Sequence, residues 1–242
     1  MPIYVVYKTS RNKKDRSAIP RMLRALGCIQ LHRALWAVEE KNISEVLRML
    51  GEHQLVLLRR QREITKPAWD KKNNICDFGS LYLVAFSVPK ERRKVLSRAL
   101  KKVACIPLCR GVYAFPQKRR FSDDKDSAIF HLLKLINENG GNARAIPRMR
   151  IEDRDSTEKL VDMIINHIKE EISDVMATSI TFLQEINDED KEKMRKEKID
   201  LEKRFGDVKK AANGYTEWLG INFSKEISKA NRAFLKLERL QK

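Results

Sequence analysis

The side chains of this sequence that could do chemistry are mostly lysines and arginines, and many lie just before a predicted helix. One cluster precedes the first predicted helix and consists of Arg11, Lys13, Lys14 and Arg16. A second cluster occupies the equivalent place later in the chain and consists of Lys90, Arg92, Arg93 and Lys94. A third is the run Lys118, Arg119 and Arg120. Cations near the backbone amides of a helix N-terminus are suited to phosphate, so these residues form the candidate nucleic-acid-binding site.

Two further arginines differ from these because each lies within an apolar stretch. Arg33 lies within residues 28–38 and Arg110 lies within residues 105–116. One interpretation is that each pairs with a carboxylate where two domains meet. The other is that each presents its planar guanidinium to a phosphate.

Patterns for other kinds of chemistry are missing from the sequence. The four histidines are scattered, and no zinc-protease, nucleophile-elbow, P-loop or dinucleotide-binding motif occurs. The acidic group Asp123, Asp124 and Asp126 is typical of a solvated turn. The four cysteines, at positions 28, 76, 105 and 109, form no C-x-x-C pair and are expected to be reduced thiols packed among apolar side chains. The sequence therefore predicts no catalytic residues, no metal site and no cofactor.

The elements that position the basic clusters belong to an internal repeat. Residues 28–38 align without a gap with residues 105–115 of the stretch 105–116, so that Cys28 matches Cys105, Arg33 matches Arg110 and Trp36 matches Tyr113. The match extends backwards, with residues 19–27 over residues 96–104. Each of the two apolar stretches is predicted as a single strand. A repeat of this length indicates two copies of one structural unit.

Hydrophobic periodicity predicts the order β-α-β-α-β in each copy, with a further edge strand near residues 62–70. Gly140-Gly141 is expected to close the second helix of the second copy, and Pro147 suggests that the strand over residues 143–149 lies at a sheet edge. The predicted fold is α+β, with two tandem ferredoxin-like domains packed as a pseudo-dimer and followed by an α-helical bundle. The predicted boundaries are 1–62 for the first ferredoxin-like domain, 63–79 for a linker, 80–152 for the second domain and 153–242 for the bundle.

The positive charge is confined to the repeated part. The chain has a net charge of +17. Residues 1–76 contain 16 Lys/Arg against 7 Asp/Glu, residues 77–154 contain 17 against 8, and residues 155–242 contain 17 against 18. Clustered positive charge attracts polyanions, so the repeated part is expected to bind nucleic acid.

The C-terminal part has helical periodicity throughout, and three antiparallel helices are its simplest packing. Asn213-Gly214 is expected to break the second helix, and Ser224 to cap the third. The apolar seam of the second helix suits a coiled-coil partner or a homodimer. It consists of Met194, Leu201, Phe205, Val208 and Ala212.

Several short motifs in order resemble the N-terminal domain of the ChrB family of chromate-resistance regulators. They are the stretches 83–89, 110–116 and 140–143, then Arg204-Phe205 and the stretch 218–223. The likeness covers about residues 80–242. It implies a DNA-binding transcriptional regulator, with DNA favoured over RNA as the partner. The repeated unit also resembles the small CRISPR-associated nuclease subunit and the matching domain of PaaX-type repressors.

The resemblance to the nuclease raises an alternative, a divalent-metal-dependent ribonuclease or deoxyribonuclease. Those nucleases are expected to carry an aspartate at the end of the first strand, whereas this chain has Lys8-Thr9-Ser10 and Ser87-Val88-Pro89. Asp15 and Asp77 are the nearest carboxylates for a displaced site. A third hypothesis is a structural adaptor that binds a protein through its helices. No signal sequence or membrane span is evident, so a cytoplasmic location is expected.

Overall fold

A computed structural model describes residues 2–8, 13–51, 53–118, 128–184 and 191–239. The chain is α+β and divides into two compact units. The first unit consists of residues 1–97 and 105–161, and the second consists of residues 98–104 and 162–242. The α+β prediction is therefore confirmed.

The first unit is built on one eight-stranded antiparallel sheet, in which both copies of the repeat take part. The first copy supplies β1 (Ile3–Tyr7), α1 (Lys13–Ala25), β2 (Ile29–His32), β3 (Leu35–Val38), α2 (Ile43–Leu50) and β4 (Leu55–Arg60). A small separate sheet follows, made of β5 (Ala68–Trp69) and β6 (Ile75–Asp77). The second copy supplies β7 (Leu81–Ser87), α3 (Arg93–Leu100), β8 (Ile106–Cys109), β9 (Val112–Pro116), α4 (Ala128–Glu138) and β10 (Asn142–Ile151).

The strand order is β2-β3-β1-β4-β10-β7-β9-β8. Each copy therefore places its first strand between its hairpin and its last strand. The two copies join where β10 pairs with β4, through Met149, Arg150 and Ile151.

The prediction of one strand over residues 28–38 and one over residues 105–116 is wrong, because each stretch is a β-hairpin. β2 pairs with β3 and β8 pairs with β9, with two-residue turns at Arg33–Ala34 and Arg110–Gly111. Neither arginine interrupts a strand, and each occupies a turn where its guanidinium can reach water. Gly111 has a φ of +82°, a conformation that glycine adopts without strain.

The prediction that the last strand lies at a sheet edge is also wrong. β10 lies in the middle of the sheet, between β4 and β7. Pro147 is tolerated there because it falls within a bulge, where the register with β7 shifts between Ile146 and Met149. Arg148 then takes a φ of +60°, and its amide donates to Gln117 Oε1 at 2.6 Å.

The segment predicted as a linker is ordered, because residues 63–79 contain the β5–β6 hairpin. The edge strand expected near residues 62–70 does not join the large sheet, since β5 pairs only with β6 among the described strands. Gly140, at φ +68°, ends α4 as expected: the Gly140 amide donates to Asn137 O and the Gly141 amide to Ile136 O.

The core of the first unit lies on both faces of the sheet. Every residue of β1 is buried, as are the first six residues of β7. On one face, Val5, Tyr7 and Trp36 pack with Leu23 of α1 and Val46 of α2. On the other face the sheet folds back on itself, because β8 lies beside β1 and β2 lies beside β7 without strand pairing.

The second unit contains most of three long helices, α5 (Arg154–Gln184), α6 (Lys191–Leu219) and α7 (Ser224–Arg239). Asn213-Gly214 does not break α6. A Cβ at position 214 would lie 3.0 Å from Ala104 Cβ, so the glycine allows close packing inside a continuous helix. The helix ends instead before Gly220, which has a φ of +69°.

The start of α7 also differs from the prediction. Asn222, not Ser224, supplies the capping side chain, because its Oδ1 accepts from the Ser224 amide at 2.8 Å. No described helix has an apolar stretch long enough to cross a membrane.

The α6 seam suggested as a partner surface is buried within this chain. Leu201, Phe205, Val208 and Ala212 are all buried, and the Phe205 ring stacks on Phe234 of α7 with ring centroids 4.9 Å apart. The side chain of Met194 lies outside the described part of the chain.

Candidate nucleic-acid interface

The backbone brings the hairpin turn of each copy to the end of its first strand. The Tyr7 amide donates to Ala34 O at 3.2 Å, and the Phe86 amide donates to Gly111 O at 2.8 Å. The loop that leaves β1 therefore starts beside Arg33, and the loop that leaves β7 starts beside Arg110.

The two copies meet at these turns, because the sheet folds back on itself and brings β2 beside β7 and β1 beside β8. The His32 imidazole donates a hydrogen bond to the carbonyl of Phe86, on the other copy. A Cβ on Gly111 would lie 3.1 Å from His32 Cε1, so the Arg110–Gly111 turn packs on that ring. We call the surface where the two turns meet the junction surface; it comprises Lys8, the two turns, and the 3-10 turn and first residues of α3 that follow β7.

The cations of the second copy are free at the junction surface. Lys90 and Arg92 belong to a 3-10 turn that follows Pro89, and Arg93 and Lys94 begin α3. All four are exposed, and none forms an ion pair or side-chain hydrogen bond within the described chain. The first turn of α3 contains no acidic residue, and the 3-10 turn contains one, the exposed Glu91.

The equivalent cations of the first copy are placed only in part. Lys13, Lys14 and Arg16 lie in the first turns of α1, which follows β1 as α3 follows β7. The side chains of these three residues lie outside the described part of the structure. Arg11, Arg119 and Arg120 lie outside it entirely. Lys8 is exposed at the end of β1.

Arg33 and Arg110 are both exposed. Within the described chain, neither guanidinium has a carboxylate at ion-pair distance. The expected interdomain ion pairs are therefore not formed by described residues, and both arginines are open to an external anion.

Lys118 does not join this group. It follows β9, and the preceding Gln117 amide donates to Ser80 O at 2.9 Å, at the start of β7. The junction surface lies at the other end of that strand. Lys118, the described residue of the third predicted cluster, therefore lies at the opposite end of β7 from the second cluster.

Burial controls the titration of the groups beneath the junction surface. Burial lowers the pKa of His32, and the nearby Arg33 charge lowers it further, although the Phe86 carbonyl opposes both effects. The His32 Nδ1 atom is buried and has no hydrogen-bond partner in the described chain. Burial also raises the pKa of Tyr7.

Burial raises the pKa of both Cys105 and Cys109 to about 12, so these two residues are thiols at neutral pH. Cys28 and Cys105 are buried, as expected for packed cysteines, whereas Cys76 and Cys109 are half-buried. The described residues contain no group of three or more His, Cys, Asp or Glu side chains that could hold a metal ion.

The carboxylates considered for a displaced metal site are placed as follows. Asp77 Oδ2 lies 2.7 Å from Arg150 Nε, and Asp77 Oδ1 accepts from the Gly79 amide at 2.8 Å, so both oxygens are engaged. The side chain of Asp15, and Asp123, Asp124 and Asp126 entirely, fall outside the described residues.

Sequence reasoning missed a second group of exposed polar and aromatic residues, on the β5–β6 hairpin. Trp69, Lys71 and Lys72 lie at its tip and are exposed. The available signal was the stretch Asp70-Lys-Lys-Asn-Asn, which suits a tight turn. The prediction of a linker over residues 63–79 instead interpreted Asn73 and Asn74 as part of an irregular segment.

No protein-family model matches this chain, and no curated protein or solved structure matches it significantly.

Proposed function

We propose that this protein is a non-catalytic nucleic-acid-binding protein, acting as a DNA-binding regulator of the kind that the ChrB resemblance implies. The observation that carries the proposal is the junction surface. It gathers exposed cations from both copies of the repeat where the folded sheet brings the two hairpin turns together, and these cations have no ion-pair partner among the described residues. Cations in this state contact phosphate without first giving up a protein partner.

The proposed architecture is two ferredoxin-like plaits joined edge to edge. The strand order supports it, because β2-β3-β1-β4 and β8-β9-β7-β10 are the same order read from opposite edges of the sheet. In such an arrangement the two basic loops occupy equivalent places in the two copies.

The test is fluorescence-anisotropy binding of the intact protein to duplex DNA and to single-stranded RNA between 50 and 200 mM salt. The affinity should fall with a log–log slope of about 0.9 for each duplex phosphate contacted. The variant with Lys90, Arg92, Arg93 and Lys94 all changed to Gln should lose affinity and have a shallower slope.

A matched control makes the same change in charge on the second unit. Lys169, Lys209, Lys210 and Lys225 are all exposed there, and changing these four to Gln should leave the slope unchanged. Absence of binding at 50 mM salt, or an equal loss in both variants, would overturn the proposal. Repeating the measurement with Mg²⁺ and checking the length of the DNA and RNA tests the nuclease alternative.

A further inference from the structure

The β5–β6 hairpin with its two arms, residues 61–80, forms a finger that presents an aromatic ring to solvent. Trp69 lies at the end of β5 and is 46% exposed, whereas Trp36 and Trp218 are 0% and 6% exposed. A tryptophan carries a large apolar surface that folding usually buries. The exposed part of the Trp69 ring is therefore available to stack with a ligand.

The tip of the finger is held in one shape by Asp70. Asp70 Oδ1 accepts from the Lys72 amide at 2.8 Å and from the Asn74 amide at 2.9 Å. The Asp70 amide donates to Asn74 O at 2.9 Å. These bonds to the backbone also lower the pKa of Asp70, so the carboxylate stays ionised and the turn persists at neutral pH. The ring of Trp69 is thus displayed on an ordered support.

The base of the finger is fixed to the large sheet. Thr65 and Ser80 close it with two hydrogen bonds. The Ser80 amide donates to Thr65 O at 2.9 Å, and the Thr65 amide donates to Ser80 Oγ at 2.8 Å. The ion pair between Asp77 and Arg150 ties β6 to β10. A Cβ on Gly79 would lie 2.7 Å from the backbone of Lys66 and Pro67, so only glycine allows this closure.

The finger also carries three lysines close to Trp69 in the chain. Lys66, Lys71 and Lys72 are exposed and make no ion pair within the described chain. The two aspartates of the finger are already bound, Asp70 by backbone amides and Arg154, and Asp77 by Arg150 and the Gly79 amide.

We propose that the finger binds single-stranded nucleic acid, with a nucleobase stacked on Trp69 and the adjacent phosphates held by Lys66, Lys71 and Lys72. This rests on the proposed nucleic-acid-binding function and adds a site for an unpaired base. A flat ring flanked by lysines is the combination that single-strand binding proteins use. A protein partner fits less well, because lysine is depleted in protein–protein interface cores.

The first measurement is anisotropy binding of a labelled oligo-dT strand, with an abasic strand of equal length as the matched ligand control. Trp69→Ala should weaken oligo-dT binding by roughly five- to 150-fold, the range expected for the loss of one stacked base. Trp69→Phe keeps a ring and should weaken it less. Both variants should bind the abasic strand as the unaltered protein does.

A second readout uses the tryptophan itself. Since the other two tryptophans are buried, the fluorescence that oligo-dT quenches should disappear in Trp69→Phe. The variant Lys71→Gln with Lys72→Gln should lower the salt slope for oligo-dT by about 0.7 for each phosphate that it no longer binds. The lysine variant should unfold at the same urea concentration as the unaltered protein, because both lysines are exposed, and binding by the Trp69 variants is compared at urea-free conditions where each is fully folded.

The outcomes separate the two proposals. If duplex DNA binds with the expected salt slope but Trp69→Ala binds oligo-dT normally, the finger proposal is wrong and the junction proposal stands. If Trp69→Ala weakens oligo-dT and the abasic strand equally, base stacking is overturned as well. If no nucleic acid binds at 50 mM salt, both proposals fail, and a peptide ligand for the finger becomes the next one to test.

Discussion

The hairpin turns of the two copies have equivalent backbone pairing and different side chains. In each copy a buried residue near the end of the first strand donates its amide to the second residue of the turn, Tyr7 to Ala34 and Phe86 to Gly111. Each turn also has an arginine at its first position. The pairing sets where the loops and arginines lie, so it preserves the basic surface.

The side chains beneath that surface have diverged. The first copy places His32 where the second has Cys109, and Trp36 where the second has Tyr113. Phe86 and Tyr113 stack with ring centroids 5.7 Å apart. One copy therefore contributes an imidazole whose pKa is lowered from an ordinary value near neutrality, and the other contributes a thiol that does not titrate there. The two copies thus share their backbone pairing but carry side chains with different acid–base chemistry.

The largest effect is expected where the second copy depends on a glycine and the first does not. Gly111→Ala should destabilise the protein by about 3 kcal/mol, since it combines a left-handed φ with a Cβ 2.6 Å from Phe86 O. Urea unfolding measures the loss. The reverse change, Ala34→Gly, should cost less than about 1 kcal/mol, because it removes one methyl group and adds freedom to the unfolded chain.

Gly27 is the matched control for backbone strain alone. Its φ is +73°, but a Cβ there would meet nothing within 4 Å. It ends α1, where the Gly27 amide donates a hydrogen bond to Arg24 O and the Cys28 amide donates one to Leu23 O. Gly27→Ala should therefore cost about 1–2 kcal/mol. Equal losses for Gly27→Ala and Gly111→Ala would show that close packing between the copies at Gly111 contributes nothing.

Arg33 and Arg110 occupy equivalent turns, and substituting each one measures whether both bind duplex DNA. Arg33→Gln and Arg110→Gln should each lower the salt slope for duplex DNA by about 0.9, the contribution of one bound phosphate. The double variant should lose about twice as much, because the two arginines would hold separate phosphates. Anisotropy across a salt series measures both. A loss confined to one arginine would mean that only one copy faces the nucleic acid.

The repeat, the α+β class and the main helices could be predicted because they depend on local hydrophobic periodicity and on the alignment of the two copies. The hairpins could not, because their turns are Arg-Ala and Arg-Gly within apolar stretches, and the first contains no glycine, asparagine or proline to mark it. The central position of β10 was hidden by Pro147, since the bulge that tolerates the proline forms only through pairing with β7.

The candidate site was predictable in its residue types and only partly in its placement. Lys90, Arg92, Arg93 and Lys94 could be placed because a strand leads into a helix there. The meeting of the Arg110–Gly111 turn with His32 depends on how the sheet folds back, and no local pattern reports that. The finger was missed for the same reason, because its anchors on Arg150 and Arg154 lie more than 70 residues away in the chain.

The smallest expected effect is the pH dependence of stability that His32 contributes and the equivalent Cys109 does not. Since burial lowers the pKa of His32, the folded state resists a proton that the unfolded chain accepts near pH 6.5. The unfolded state then binds more protons, so this contribution to stability is complete above pH 6.5 and is lost as pH falls through that value. The lowered carboxylate pKa of Asp70 and Asp153 acts only nearer their ordinary value of 3.8, outside this window.

His32→Cys gives the first copy the residue of the second and should remove this loss, because burial holds the pKa of the equivalent Cys109 near 12. The urea midpoint should fall between pH 7.5 and pH 5.5 in the unaltered protein and fall less in the variant. His167→Gln, at an exposed position in the second unit, is the control and should keep the full decrease. An equal decrease in all three proteins would place the titrating group elsewhere and leave the two halves of the junction surface alike in their response to pH.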